Sequence, residues 1–191
     1  MSRSRAGILA GARQCILQYG TRKSTMGDIA RVGGVAKATL YNHFRDKREL
    51  YAALVDAEVD ALISRCASAY AAAQGDPLVA GLSEAAIGVT EHSVLRYVAA
   101  NEPLVLGTMS QPGAGAGWQR ARAYAAELLG AEQPCAAGDL AVRWVASHAA
   151  WPASPEEIGR CAVAVAEAVR VLAAAEVSPG ATGTQETGAH A

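Results

Sequence analysis

Aromatic side chains are scarce in this chain of 191 residues: one phenylalanine, three tryptophans and six tyrosines. Runs of β-branched residues are few and alanine dominates, which argues against a sheet and for helices. The four cysteines, Cys15, Cys66, Cys135 and Cys161, lie far apart, with no Cys-x-x-Cys pair and no nearby histidines to complete a zinc set. They read as buried or incidental thiols of a reducing compartment, with a redox role for Cys66 or Cys135 as the alternative. No metal and no cofactor is expected. Long hydrophobic runs are missing too: the most apolar stretch, 161–175, is interrupted by Glu167 and Arg170, which excludes a membrane span there. Ser2-Arg3-Ser4-Arg5 leads into an amphipathic segment and not into a signal-peptide core, so the expected location is cytoplasmic.

Lysine is equally rare, and all three, Lys23, Lys37 and Lys47, fall in the first 50 residues. That segment holds ten Lys and Arg against three Asp and Glu, net +7; residues 51–191 hold seven against fifteen, net −8. An attraction for phosphates is thus confined to one end of a chain whose overall charge is only −1.

Within the basic end, residues 28–44 spell two short helices joined by a glycine turn. Ala30 is small enough for a close helix crossing, Gly34 can adopt the positive φ of a tight turn, and Val35 and Leu40 fill the angle between the helices. This is the pattern of a helix-turn-helix, whose second helix enters the major groove. The positions left outside the packing are Lys37, Ala38, Thr39, Tyr41, Asn42 and His43. Lys37 suits guanine O6 and N7, Ala38 a thymine methyl, and Asn42 a base or the adjacent backbone. Thr25, heading the earlier helix with Asp28 three residues on, can add a hydroxyl and a helix-terminus amide. For Tyr41 core packing is the alternative, and for His43 a helix-end contact. Arg3 and Arg5 fit either a minor-groove arm or a merely basic terminus.

The stretch Gly34-Val-Ala-Lys-Ala-Thr-Leu-Tyr-Asn-His-Phe44, followed by Asp46-Lys47-Arg48-Glu49-Leu50, resembles the recognition segment of TetR/AcrR-type repressors, over roughly residues 8–55. The resemblance implies phosphate clamps at Thr39, Tyr41, His43 and Lys47, and a dimer formed through two C-terminal helices as a four-helix bundle. It also implies a small-molecule pocket among the middle helices. One departure is Ala36, which stands where many members have a serine N-cap; an alanine there costs ~0.5–2 kcal/mol.

The spacing predicts an all-α protein with an N-terminal three-helix helix-turn-helix domain over 1–47, a second helical domain over 48–177, for which the resemblance implies ligand sensing and dimerisation, and a disordered tail over 178–191. The first helix is expected from Ser4 to Tyr19 with Gly20 as its stop, and a long fourth helix from the Asp46/Glu49 cap to Tyr70. Further helices are expected at 77–92, 94–100, 118–129, 137–150 and 155–176, with a loop at 111–117. The final two helices carry apolar stripes: Leu140, Trp144, His148 and Trp151, then Ile158, Cys161, Val165, Val169 and Leu172. Leu140, Trp151 and the second stripe are candidates for the dimer interface, with intramolecular core as the alternative. Tyr70, Tyr97, Met109, Trp118, Trp144 and His148 are candidates for a ligand pocket, again against plain core.

These features point to a dimeric, sequence-specific DNA-binding regulator, expected to be a repressor released from a palindromic operator by an unidentified small effector. A ligand-independent architectural protein or an activator stands as the alternative. No phosphate loop, Gly-x-Ser-x-Gly elbow or His-Glu-x-x-His motif supports an enzyme.

Overall fold

The computed structural model describes residues 3–104 and 115–177. Met109, the stretch 178–191 and most of the loop expected at 111–117 lie outside the described residues. Among the described residues the elements are α1 (Arg3–Lys23), α2 (Met26–Val32), α3 (Lys37–His43), α4 (Lys47–Ala72), α5 (Pro77–Glu91), α6 (Ser93–Asn101), α7 (Ala116–Leu128), α8 (Ala136–Ser147) and α9 (Pro155–Val177).

The helix starts follow from local chemistry. Thr25 and Asp28 form a capping box at α2. Asp46 accepts the Glu49 amide at 2.8 Å to start α4, while the Glu49 carboxylate turns to the Arg45 amide at 2.8 Å. Asp76 accepts from the Leu78 and Val79 amides ahead of Pro77 in α5. Ser154 and Glu157 exchange side-chain and backbone bonds at α9. Ala36 leaves the start of α3 without a side-chain cap.

Gly20 breaks the regular run of α1, as its position predicts. It takes φ 80°, ψ 170°, and the helix continues past this kink to Lys23. The segment beyond the kink is held by long-range bonds, since the Thr21 amide donates to Glu102 Oε1 at 2.7 Å and the Thr21 hydroxyl donates to Glu102 Oε2. Sequence spacing could not register this, because Glu102 is 81 residues away.

Helices α1 and α2 cross in near-backbone contact. A Cβ on Gly11 would stand 2.6 Å from the Gly33 nitrogen, so only glycine fits there. The turn that follows places Gly34 at φ +64° and lets the Val35 amide donate to the Ala30 carbonyl at 3.0 Å. Leu40 of α3, fully buried, closes the unit.

Two apolar clusters organise the chain. The first joins Ile8, Ala12, Cys15 and Ile16 of α1 to Ile29, Leu40 and Phe44, and it continues into Leu50 and Leu54 of α4 and Val94 and Val98 of α6. The start of α4 and the inward face of α6 thus share a core with the helix-turn-helix. The second cluster joins Leu78 and Leu82 of α5 to Ala137 and Ala141 of α8 and Ala162, Ala166 and Val169 of α9. Small residues at these crossings let the helix axes approach.

The stripe expected on α9 divides. Ile158 and Val169 are fully buried within this one chain, and Val165 and Leu172 are partly buried, so these residues are spent on intramolecular core. Cys161 is exposed. The apolar residues that α8, α9 and their connection turn outward are Leu140, Trp151, Val163 and Val171. The exposed face of α9 is therefore rotated from the expected one, towards Val163 and Val171, eight residues apart.

Candidate DNA-reading surface and interior cavity

Seven residues of helix make α3 about 10 Å long, short enough to lie across a major groove about 12 Å wide. Its register is set by Leu40, whose burial turns Lys37, Ala38, Tyr41 and Asn42 outward. Tyr41 is 53% exposed, which removes it from the core. Thr39 and His43 are half-buried at the edges of this face, and the His43 ring lies tilted, 6.3 Å from that of Phe44. Lys37 reaches back over the start of α2, where a Cβ on Gly27 would stand 3.1 Å from its Cε. Around α3 the exposed cations Arg22, Lys23, Arg31, Arg45 and Arg48 keep the surface basic. Asp28 offsets Arg31 at 3.6 Å, and Glu49 offsets Arg45 at 3.2 Å.

Three of the expected contacts are placed otherwise. The Lys47 ammonium donates to the carbonyls of Thr21, Arg22 and Ser24 at 3.0, 3.1 and 3.0 Å. An ammonium has three N–H groups, and with all three used Lys47 ties the end of α1 to the start of α4. The Thr25 hydroxyl donates to Asp28 Oδ2 at 2.6 Å and accepts the Asp28 amide at 3.2 Å. The carboxylate so placed already neutralises the start of α2 and would repel a phosphate. The hydroxyl bond to Thr25, against slight desolvation and with help from Arg31, holds the Asp28 carboxyl below its ordinary range. Arg5 belongs to the first turns of α1, with its guanidinium 5.0 Å from the centre of the Phe44 ring, and is not a loose arm.

Away from α3, a second constellation links three elements, and no sequence signal pointed to it. Glu58 of α4 receives Arg13 of α1, whose Nε lies 3.0 Å from Oε1, and its other oxygen lies 2.8 Å from His92 Nε2 at the junction of α5 and α6. Burial pushes the Glu58 carboxyl up, but the bonds from His92 and Arg13 outweigh it and hold it below the ordinary range.

Farther into the chain an apolar cavity of about 140 Å³ opens between α4, α5, α7, α8 and α9. Of the expected pocket residues, Trp118 lines it. Tyr70 and Trp144 pack on the second cluster and Tyr97 on the first. His148 is buried against Trp144, its Nδ1 3.0 Å from the Trp144 carbonyl and the two rings edge-on at 4.8 Å. The cavity is instead made by aliphatic residues such as Leu62, Leu82 and Val145, together with Cys66 and Tyr124. Single aliphatic residues at helical spacing read equally as core, which is why the sequence did not mark them. Cys135 accepts the Gly138 amide at 3.4 Å as the cap of α8. Among the described residues no helix is long and apolar enough to cross a membrane.

Residues 8–54 match the family model described as bacterial regulatory proteins, tetR family. The chain is 40% identical over 50 residues, 26% of its own length and 27% of the other's, to an HTH-type transcriptional repressor of Mycobacterium tuberculosis. It is 38% identical over 60 residues, 31% of its length and 27% of the other's, to the HTH-type transcriptional activator FasR of Mycolicibacterium smegmatis. The matched stretch thus spans about a quarter of these curated relatives. The fold as a whole is similar to the crystal structure of the TetR family repressor AlkX from Dietzia sp., implicated in biodegradation of n-alkanes, with a TM-score of 0.64 at 15% identity over 88% of this chain and 96% of that one. Over residues 8–54 the chain is thus similar to the tetR family of bacterial regulatory proteins, and beyond them the likeness is one of fold.

Proposed function

We propose that the chain is a dimeric, sequence-specific transcriptional regulator, most directly a repressor that leaves its operator when a small molecule occupies the interior cavity. The observation that carries the DNA reading is the outward face of α3, where Lys37, Ala38, Tyr41 and Asn42 stand clear of the core on a basic surface. Lys37 and Asn42 supply base-edge hydrogen bonds, Ala38 a methyl contact, and Thr39, Tyr41 and His43 backbone contacts that position the helix.

A single seven-residue helix binds weakly, and two copies reading half-sites ~34–36 Å apart supply the affinity. The outward Leu140, Trp151, Val163 and Val171 give α8, α9 and their connection an apolar surface suited to a second copy. Both a repressor and an activator occur among the relatives matched over the DNA-reading domain. The sign of regulation then follows from where the operator lies relative to the promoter.

The test is capture of genomic fragments from the source organism by the purified protein, followed by footprinting. Two protected half-sites about one helical turn apart are expected. Diffuse protection of every fragment alike would replace this reading with that of an architectural protein.

A further inference from the structure

We infer that the interior cavity takes a small, uncharged, apolar molecule about the size of one aromatic ring. This inference deepens, and rests on, the reading of the chain as a ligand-released regulator.

Size is the first constraint. The cavity measures about 140 Å³, and an apolar cavity of roughly 150 Å³ stays dry and admits benzene. A ligand much beyond one ring needs the surrounding leucines to move.

Lining chemistry is the second constraint. Among the described residues no Asp, Glu, Lys, Arg or His lines the cavity, and the polar side-chain atoms of its lining are those of Cys66, Trp118 and Tyr124. The Cys66 thiol and the Tyr124 phenol are neighbours in the wall. Burial, more than the neighbouring Cys66, pushes the Tyr124 phenol up to about 12, and burial pushes the Cys66 thiol up as well. The walls therefore carry no charge at neutral pH. On the flanking helices Arg65 pairs with Glu84 across α4 and α5, and Arg120 with Asp60 across α4 and α7. A carboxylate or ammonium entering the cavity would lose its water and gain no counter-ion.

The cavity is also placed to act on the DNA-reading end. Val59 and Leu62 of α4 line it on one side and line the cleft between α4 and α6 on the other. Val59 follows Glu58, the residue that holds Arg13 and His92. An occupant that displaces this turn of α4 therefore acts on α1 and α6 together.

The experiment is calorimetric titration of the intact protein with toluene and indole, against benzoate and benzylammonium as charged probes of matching size. At least tenfold tighter binding of the neutral pair is expected. Ala121→Leu and Ala146→Leu, which fill the cavity from two walls, should each abolish toluene binding; Leu82→Ala, which enlarges it, should extend binding to naphthalene. Equal binding of benzoate, no binding by any neutral probe, or toluene binding unchanged in both filling variants would overturn the inference. Anisotropy of a labelled operator duplex separates it from the parent reading. Toluene that binds without releasing DNA upholds the ligand class and refutes ligand-controlled repression; release by the charged probes alone upholds the repression and refutes the class.

Discussion

Glu58 Oε2 lies 2.8 Å from His92 Nε2, and the other face of the same imidazole caps a helix. His92 Nδ1 accepts the Leu95 amide at 3.3 Å, so the ring proton sits on Nε2 and points at the carboxylate. One acidic side chain thereby fixes the start of α6 while holding Arg13 of α1. At the other end of α6, Glu102 holds Thr21 of α1. Helix α6 is thus tied to the DNA-reading domain at both ends, and its Val94 and Val98 belong to that domain's core.

Glu58→Gln retains the shape but weakens both charge-assisted bonds. Coupling between two sites is typically worth about 1–3 kcal/mol, or 5- to 150-fold in affinity. The variant should bind the cavity ligand normally but lose at least about fivefold of the ligand-induced drop in operator affinity. Ligand titrations on operator duplex with both proteins measure this. An unchanged drop would remove Glu58 from the coupling.

Lys47→Ala should destabilise the fold by about 1–3 kcal/mol, because three backbone carbonyls lose their ammonium partner. It should leave the salt dependence of DNA binding unaltered. A phosphate clamp would give the opposite pattern: normal stability, and a salt slope flatter by about one unit. Thermal unfolding together with DNA titration across a salt series distinguishes the two.

The three carbonyl bonds of Lys47 were not legible in the sequence. Its position three residues beyond Phe44 matches the family motif, and an exposed lysine on a basic domain reads as a phosphate ligand. What decides its role is the kink at Gly20, which turns the Thr21, Arg22 and Ser24 carbonyls towards α4. The segment beyond that kink is bonded to Glu102, a contact invisible to local spacing. By contrast, the capping box at Thr25, the Gly34 turn and the buried Leu40 depend on neighbours within a few residues, and all three were legible. The face of α9 was not, since alanines at 162 and 166 carry the true core stripe and sequence pattern favours larger residues.

Asp76 and Arg170 form a two-pronged pair at 2.7 and 2.6 Å between α5 and α9. The Arg170 bond, against slight desolvation and helped by the Val79 amide, holds the Asp76 carboxyl at about 2. An unfolded aspartate titrates near 3.9. The pair's stabilisation is therefore complete above about pH 4 and is lost as pH falls through about 2. Asp76→Asn, which keeps the cap, should cost no more than about 1 kcal/mol at neutral pH, because the pair is partly exposed. The difference from wild type in denaturant unfolding should shrink between pH 4 and pH 2.

Ala36→Ser restores a side-chain acceptor at the uncapped start of α3. Stabilisation of about 1 kcal/mol is expected, a rise of ~2–4 °C in Tm. Calorimetry measures it. No gain would mean that the α3 amides are already satisfied.

The central claim is that α3 reads base sequence through Lys37. Selection of bound duplexes from random DNA, run at near-physiological salt with wild type and Lys37→Ala side by side, tests it most directly. The account predicts a palindromic consensus with half-sites ~34–36 Å apart for wild type, and for Lys37→Ala a loss of ~1–3 kcal/mol on that site with one base position relaxed in each half. No enrichment by wild type, or an identical consensus and affinity for the variant, would contradict it.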